Sequence, residues 1–344
     1  MDPMNLNARS SRLVESLLTR ASDRKVNTQR IEGGGLAVDC GIFVRGGLAA
    51  GLDLARICLA DLAEVRLVPG EVGGHACPVV QVETDHPVAA CLASQYAGWQ
   101  ISEGESFFAM GSGPMRAAFG NEKIYETIGF REDAKQVVGV LEGRTLPTPE
   151  VVQNVANACR VAPSAVTLLI APTASLAGGV QVVARSIETA LHKLSELSFD
   201  MSRIVSAYGS APVPPVARDD LAAIGRTNDA ILYGARVVLF ITGDTIEDDQ
   251  LRHLGPEVPS SSSADFGEPF AETFARYNFD FYSVDPHLFS PSEIVFQNIN
   301  TGQAFGFGKP RPDILARSFY SRSPSESASE SESASASASE TKLE

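Results

Sequence analysis

Basic charge is scarce in this chain: 28 lysines and arginines stand against 42 acidic side chains, for a net charge of −14. Such a surface repels polyphosphate, which removes the main driving force for sequence-independent nucleic-acid binding. Long apolar runs are missing as well, and no segment approaches the roughly 20 residues needed to span a bilayer. No basic start with an apolar stretch and a small-residue cleavage site marks a secretory leader. The expectation is a cytoplasmic protein with no nucleic-acid or membrane partner. Cysteine is sparse: Cys40, Cys58, Cys77, Cys91 and Cys159 are scattered, and no two form a CxxC pair. The histidines are equally dispersed, and a lone His-x-Cys at His75 and Cys77 lacks the further ligands a metal needs. These absences argue against a disulfide framework and against a metal site.

What is present is enough apolar residue, 44% of 344, to bury a sizeable core and to fill two domains. The Ser/Ala/Glu tract from Ser323 to Glu344 has no aromatic anchor and reads as a disordered tail. Apolar spacing predicts a helix over Asn5 to Lys25, paired strands around Gly33-Gly34-Gly35, and a helix from Gly46 to Ala60. Strands follow near Glu64 to Leu67 and Val79 to Thr84, then a helix from Pro87 to Gly98. FFAMGSGPMRAAFG reads as strand, glycine turn and helix, and VVGVLEG as another strand. TLPTPE suits a connection into a helix starting at Pro149. It places a domain boundary there, giving a first α/β domain over 1–147 and a second over 148–322, between which segments can exchange. AVTLLIAP and ARVVLFITGD are buried-type strands separated by helices, so the fold class is α/β, in mixed layers.

The second domain carries SLAGGVQVVARSIETALHKL, Ser175 to Leu194, read as one helix after a Gly-Gly turn. At about 3.6 residues per turn, Val180, Val183, Ala184, Ile187, Leu191 and Leu194 form an apolar stripe. Ser186, Thr189 and Lys193 fall opposite and should meet solvent. Gln181, Arg185, Glu188 and His192 flank the apolar stripe, where a cleft wall would lie. A plain i,i+3 ion pair between Arg185 and Glu188 contributes only about 0.2–0.5 kcal/mol. Arginine N-terminal to glutamate is also the poorer orientation against the helix dipole, so helix stability does not explain the order. The crevice beyond the carboxyl ends of strands is a common ligand position in open α/β sheets, and this helix follows such a strand.

Gly111-Ser112-Gly113-Pro114-Met115-Arg116 could bring backbone N–H groups and a helix N-terminus to a ligand; its bland reading is a tight turn with a surface arginine. It is not a dinucleotide fingerprint, because Arg116 stands where GxGxxG ends in glycine, and this disfavours a dehydrogenase. GRTNDAILYG sets Asn228 and Asp229 within a helix, and FYSVDPHLFS sets Asp285 and His287 among aromatics. Taken alone, these read as caps and core.

Together AMGSGPMRA, VVGVLEG, APTASLAGGVQVVARSIETALHKL, GRTNDAILYG and VDPHLFSPSEIVFQNINTG, in this order, resemble methenyltetrahydromethanopterin cyclohydrolases from about Asn5 to Ser321. The resemblance implies a hydrolase of one-carbon metabolism that opens the methenyl bridge of tetrahydromethanopterin, or its dephospho form, reversibly to the 5-formyl compound. It implies two α/β domains with the pocket between them, a homotrimer, a pterin as the small-molecule substrate, and neither metal nor redox cofactor. The family's helical arginine and glutamate match Arg185 and Glu188. A further pocket glutamate matches Glu142, and Gln95 to Glu105 offers no lysine for a family lysine. Glu188 is then the group that activates water, oriented by Arg185. Gly111, Ser112, Gly113, Arg116, Asn228, Asp229 and Asp285 are binding-site candidates. The competing readings are a tetrahydrofolate cyclohydrolase and a noncatalytic pterin-binding module of the same fold.

Overall fold

The computed structural model describes residues 4–280 and 283–320. The Ser/Ala/Glu tract and the first two residues of the FYSVDPHLFS motif lie outside them. Two six-stranded sheets organise the chain. The first runs β1 (Asn27–Arg30), β2 (Leu36–Asp39), β8 (Val166–Ala171), β7 (Val137–Glu142), β6 (Phe107–Ser112) and β5 (Trp99–Glu103). Its middle three strands β2, β8 and β7 are parallel, so their carboxyl ends, at Asp39, Ala171 and Glu142, share one edge. The second runs β12 (Ala304–Gly308), β11 (Glu293–Asn298), β10 (Arg236–Ile241), β9 (Ile204–Pro212), β4 (His75–Thr84) and β3 (Glu64–Val72). Only β10 and β11 are parallel there.

The sheets do not follow the division at 147/148. The β3–β4 hairpin, early in the chain, belongs to the second sheet, whereas β8 returns to the centre of the first. The reason is the burial pattern: β8 is buried at five of its six residues, which requires a strand on each side and helices on both faces. Segments are therefore exchanged across the sequence boundary in both directions.

Helices α1 (Leu6–Thr19), α2 (Ala21–Arg24) and α3 (Leu48–Cys58) come from the N-terminal region, and α1 and α3 cover one face of the first sheet through Val14, Leu17, Leu54 and Ile57. The other face packs on α4 (Met115–Phe119) and α6 (Pro149–Cys159), with α5 (Ile124–Ile128) between them in the chain. α6 starts where proline predicts, with Thr148 accepting from the Val151 N–H as its cap. α7 (Leu176–Val183) lies against α3 so closely that a Cβ at Gly51 would come within 2.7 Å of the Val180 Cβ. α8 (Ser186–Glu196), α9 (Asp220–Leu232), α10 (Thr245–Leu254), α11 (Phe270–Arg276) and α12 (Pro312–Tyr320) complete the second half. The apolar stripe of Val180, Val183, Ile187, Leu191 and Leu194 joins the core of the second sheet as expected.

Two local expectations change. The predicted helix from Pro87 is a π-helix, Val88–Gln95, whose Tyr96 N–H reaches back five residues to the Cys91 carbonyl. The predicted single helix from Ser175 to Leu194 breaks between α7 and α8 at Ala184 and Arg185, where the Arg185 N–H bonds the Val182 carbonyl three residues back. Beyond the break the predicted solvent face is not open: Ser186 and Lys193 are buried, and only Thr189 is half-buried. Lys193 donates to the His287 carbonyl at 2.9 Å and lies 2.8 Å from its ring Nδ1.

Candidate active site

The break puts Arg185 at the junction of two helices and turns its side chain toward the first sheet. Its Nη1 donates to the Gln95 carbonyl at 2.5 Å, and Nη2 donates to Ser112 Oγ at 3.2 Å and Gln181 Oε1 at 3.1 Å. Ser112 ends β6 and donates its own hydroxyl to the Val140 carbonyl at 2.9 Å. The Cys58 thiol at the end of α3 lies 3.3 Å from that hydroxyl. One arginine thus joins α7, the π-helix and the first sheet.

Glu188 lies one turn further along, 4% exposed. No residue of the described chain forms a hydrogen bond or salt bridge with its carboxylate. Burial pushes its pKa up to about 7, although the nearby Arg185 and Arg116 charges pull it down. A carboxyl group poised there exchanges protons readily at neutral pH. Its negative charge is felt by Cys91 and Tyr96 on the π-helix side, and burial with that charge raises Tyr96 to about 12.

Arg116 is not a surface arginine. It is fully buried, donates to both Glu122 carboxylate oxygens at 2.8 and 2.6 Å, and donates through Nη1 to the Leu92 and Ser94 carbonyls. Its guanidinium lies over the Tyr96 ring at 4.9 Å. The glycines beside it are used by the fold. The Gly113 N–H donates to the Ser94 carbonyl, and its φ of +87° is one that glycine accepts freely. A Cβ at Gly111 would press on Ile101 and Met115 at 2.9 Å. α4 is five residues long, and its Arg116 and Ala117 N–H groups bond the Gly113 and Pro114 carbonyls.

Glu142, at the carboxyl end of β7, accepts a short hydrogen bond from the Thr173 hydroxyl. The pairing of Ser112 with Val140 puts Ser112 on the same sheet face as Glu142, and Cys58 feels both the Arg185 and the Glu142 charge. Glu142, Ser112, Arg185 and Glu188 therefore form one neighbourhood. The other candidates make contacts of their own. Asn228 donates one turn back to the Ile224 carbonyl. Asp229 is fully buried, accepts from the Phe270 N–H and the Ser318 hydroxyl, and so ties α9 to α11 and α12. Asp285 caps the turn at Pro286, accepting from the His287 N–H and the Ser263 hydroxyl.

Among the described residues, two hollows that stand out are large enough for a ligand. One of about 740 Å³ lies on the outer side of the second sheet by Glu83, His86 and Tyr208; none of the candidate residues lines it or the second hollow. The other, about 680 Å³, is lined by Tyr96, His192 and Glu122. Tyr96 and His192 are stacked with centroids 4.7 Å apart, and His192 is one turn beyond Glu188. We favour this second cleft because its wall carries the groups that respond to the Glu188 and Arg116 charges. Gln95 and Gln181 contact Arg185, and Tyr96 and Glu122 contact Arg116. Of these, sequence reasoning singled out only Gln181, by its place on the helix. Among the described residues no cluster of three metal-ligating side chains occurs.

The sequence of motifs and this geometry agree with comparison to known proteins. A family model described as Cyclohydrolase (MCH) matches residues 5–319. The chain belongs to this family. A methenyltetrahydromethanopterin cyclohydrolase of Rhodopirellula baltica is 47% identical over 83% of this chain and 86% of its own length. One of Methanococcoides burtonii is 40% identical over 92% of this chain and 98% of its own. A third, of a Methylobacterium species, is 45% identical over 92% and 97%. The cyclohydrolase match spans both sheets and every residue of the Arg185 and Glu188 neighbourhood.

Proposed function

We propose that this protein hydrolyses the methenyl bridge of 5,10-methenyltetrahydromethanopterin, or its dephospho form, to the 5-formyl compound. The observation that carries the reading is Glu188: a buried, unpartnered carboxyl poised near neutrality beside Arg185, in a chain of the cyclohydrolase family. The methenyl carbon belongs to a cationic amidinium and is already electrophilic, so the reaction needs a positioned water and a proton carrier rather than a metal or redox cofactor. Glu188 takes one proton from the attacking water as the C–O bond forms. It returns that proton to N10 as the C–N10 bond breaks. The hydroxyl proton of the adduct leaves as the formyl C=O forms, and one proton is released overall. Arg185 and Arg116 keep the carboxylate available as a base by favouring its ionised form.

Glu142, held by Thr173, is assigned to the pterin amino edge or to the cationic bridge. The active assembly is a homotrimer in the cytoplasm. Five free, buried cysteines suit a reducing compartment, and no described helix is long and apolar enough to cross a membrane. The test is loss of methenyl absorbance on mixing purified protein with the tetrahydromethanopterin compound, with the tetrahydrofolate compound as control. Turnover of the first in large preference to the second is expected; binding without loss of absorbance would overturn the reading.

A further inference from the structure

Hydrolysis releases one proton overall, and a Glu188 that is only 4% exposed has no open path along which to deliver it. Glu188, His192 and Glu196 recur every four residues along α8, and side chains so spaced are neighbours on a helix surface. Their exposure rises in that order: Glu188 is buried, His192 half-buried and Glu196 exposed. His192 and Glu196 line the cleft of about 680 Å³, whose rim residues Lys123 and Thr127 are exposed, whereas Glu188 does not line it. His192 thus stands between the carboxyl and solvent. Its ring is held by packing alone: it stacks on Tyr96 at an interplanar angle of 15°, and Tyr96 in turn feels the Glu188 charge. Among the described residues no group forms a hydrogen bond with either ring nitrogen, the Tyr96 hydroxyl or the Glu196 carboxylate. A half-buried histidine with both nitrogens free of the protein keeps one to accept a proton and one to give it. Burial, foremost, holds the ring's pKa below its ordinary value; Glu196 on the same helix raises it, and Arg116 at the Tyr96 ring lowers it. Glu122 and Lys123 line the same cleft. An imidazole in these surroundings sheds a proton readily at neutral pH.

We infer that His192 is the proton relay of Glu188, passing the proton that hydrolysis releases from the buried carboxyl to the cleft and Glu196, and returning one when the reaction runs backward. The adduct hydroxyl gives its proton to the Glu188 carboxylate as the formyl C=O forms. The neutral imidazole takes that proton, directly or through one water, and Glu188 is ionised again for the next turnover. The imidazolium then loses a proton to cleft water or to Glu196, and the ring is neutral once more. One proton has left, which is the one the reaction produces, and no other group has changed charge. His192 acts through Glu188 and touches no reacting atom.

The inference rests on the hydrolase reading, and the experiment separates the two. Wild type, His192→Phe and His192→Gln are assayed with methenyltetrahydromethanopterin at pH 7 in weak buffer, with and without imidazole as a free proton carrier, after subtracting the uncatalysed rate in each medium. Phenylalanine keeps the stack on Tyr96 and glutamine keeps a polar side chain, but neither carries protons. In weak buffer kcat should fall about tenfold or more in both variants, with KM changed by less than about threefold. Added imidazole should restore most of that loss and leave wild type unchanged, which a lost packing contact would not allow. Inactive wild type would sink the hydrolase reading. Active wild type with a folded variant at near-normal kcat in weak buffer, or with a loss that imidazole does not restore, would sink this inference alone. Failure of both variants to fold would overturn it as well, by making the ring a structural one.

Discussion

Arg185 lies within electrostatic reach of Glu188 but does not pair with it: its guanidinium is held by Gln95, Gln181 and Ser112, and the carboxylate is left unbonded. A direct ion pair would have held Glu188 ionised and occupied, as ordinary helix pairs do. Separation keeps the charge influence while freeing both carboxylate oxygens for protons. Burial and the arginines then oppose one another, which is how a carboxyl comes to titrate near neutral pH.

Glu188→Gln removes the proposed proton carrier and changes little else in shape. We expect kcat to fall about a hundred- to ten-thousand-fold with KM little changed. Because no partner is lost, folding should be unharmed, and above pH 7 the variant should unfold at equal or higher denaturant concentration than wild type. Steady-state kinetics and urea unfolding of the same preparation check both halves.

Glu188 and Asp229 also make stability depend on pH. Burial raises each to about 7, against roughly 4 in an unfolded chain. The native state therefore holds protons that the unfolded chain has released, so their contribution is fully present below about pH 4 and is lost as pH rises through 7. Asp229→Asn keeps a carbonyl acceptor for the Phe270 N–H and removes the titration. Its stability loss between pH 5 and 8 should be smaller than that of wild type by on the order of 1–3 kcal/mol, read from denaturant unfolding at the two pH values.

Much of this was legible in the sequence, because strands such as VTLLIA and the stripe from Val180 to Leu194 carry their burial in their spacing. The spacing of Arg185 and Glu188 was visible too, although Arg185 stands at the helix break and not on the face of one continuous helix. Three things were not. The break at Arg185 has no proline or glycine to announce it; there the Ala184 carbonyl is capped by Gln95, 89 residues away in sequence. Exchange of segments between domains was allowed for, but which strands exchange depends on pairing, and β8 could not show in isolation that its neighbours are β2 and β7. The burial of Arg116 and Lys193 likewise comes from distant partners, Glu122 with the π-helix carbonyls and His287, which no local period encodes.

Arg116 should be the most costly polar residue to lose. Arg116→Met leaves the Glu122 carboxylate and the Leu92 and Ser94 carbonyls without their donor, and removing one partner of a buried pair costs about 3–5 kcal/mol. The double variant Arg116→Met with Glu122→Leu should recover part of that loss, since no charge remains unpaired. A double-mutant cycle in urea measures the coupling, and simple additivity would show that the pair is not linked.

The proposed role of Glu142 is binding rather than proton transfer, because its carboxylate already accepts from Thr173 while Glu188 has no such partner. Glu142→Gln should therefore raise KM about tenfold or more and leave kcat within about threefold, the pattern of lost binding that is equal in ground and transition states. Thr173→Val should show the same split at smaller size, because it frees the carboxylate without removing it. Initial rates of methenyl loss over a range of substrate concentrations separate the cases. A fall in kcat matching that of Glu188→Gln, with KM unchanged, would instead place Glu142 among the groups that move protons.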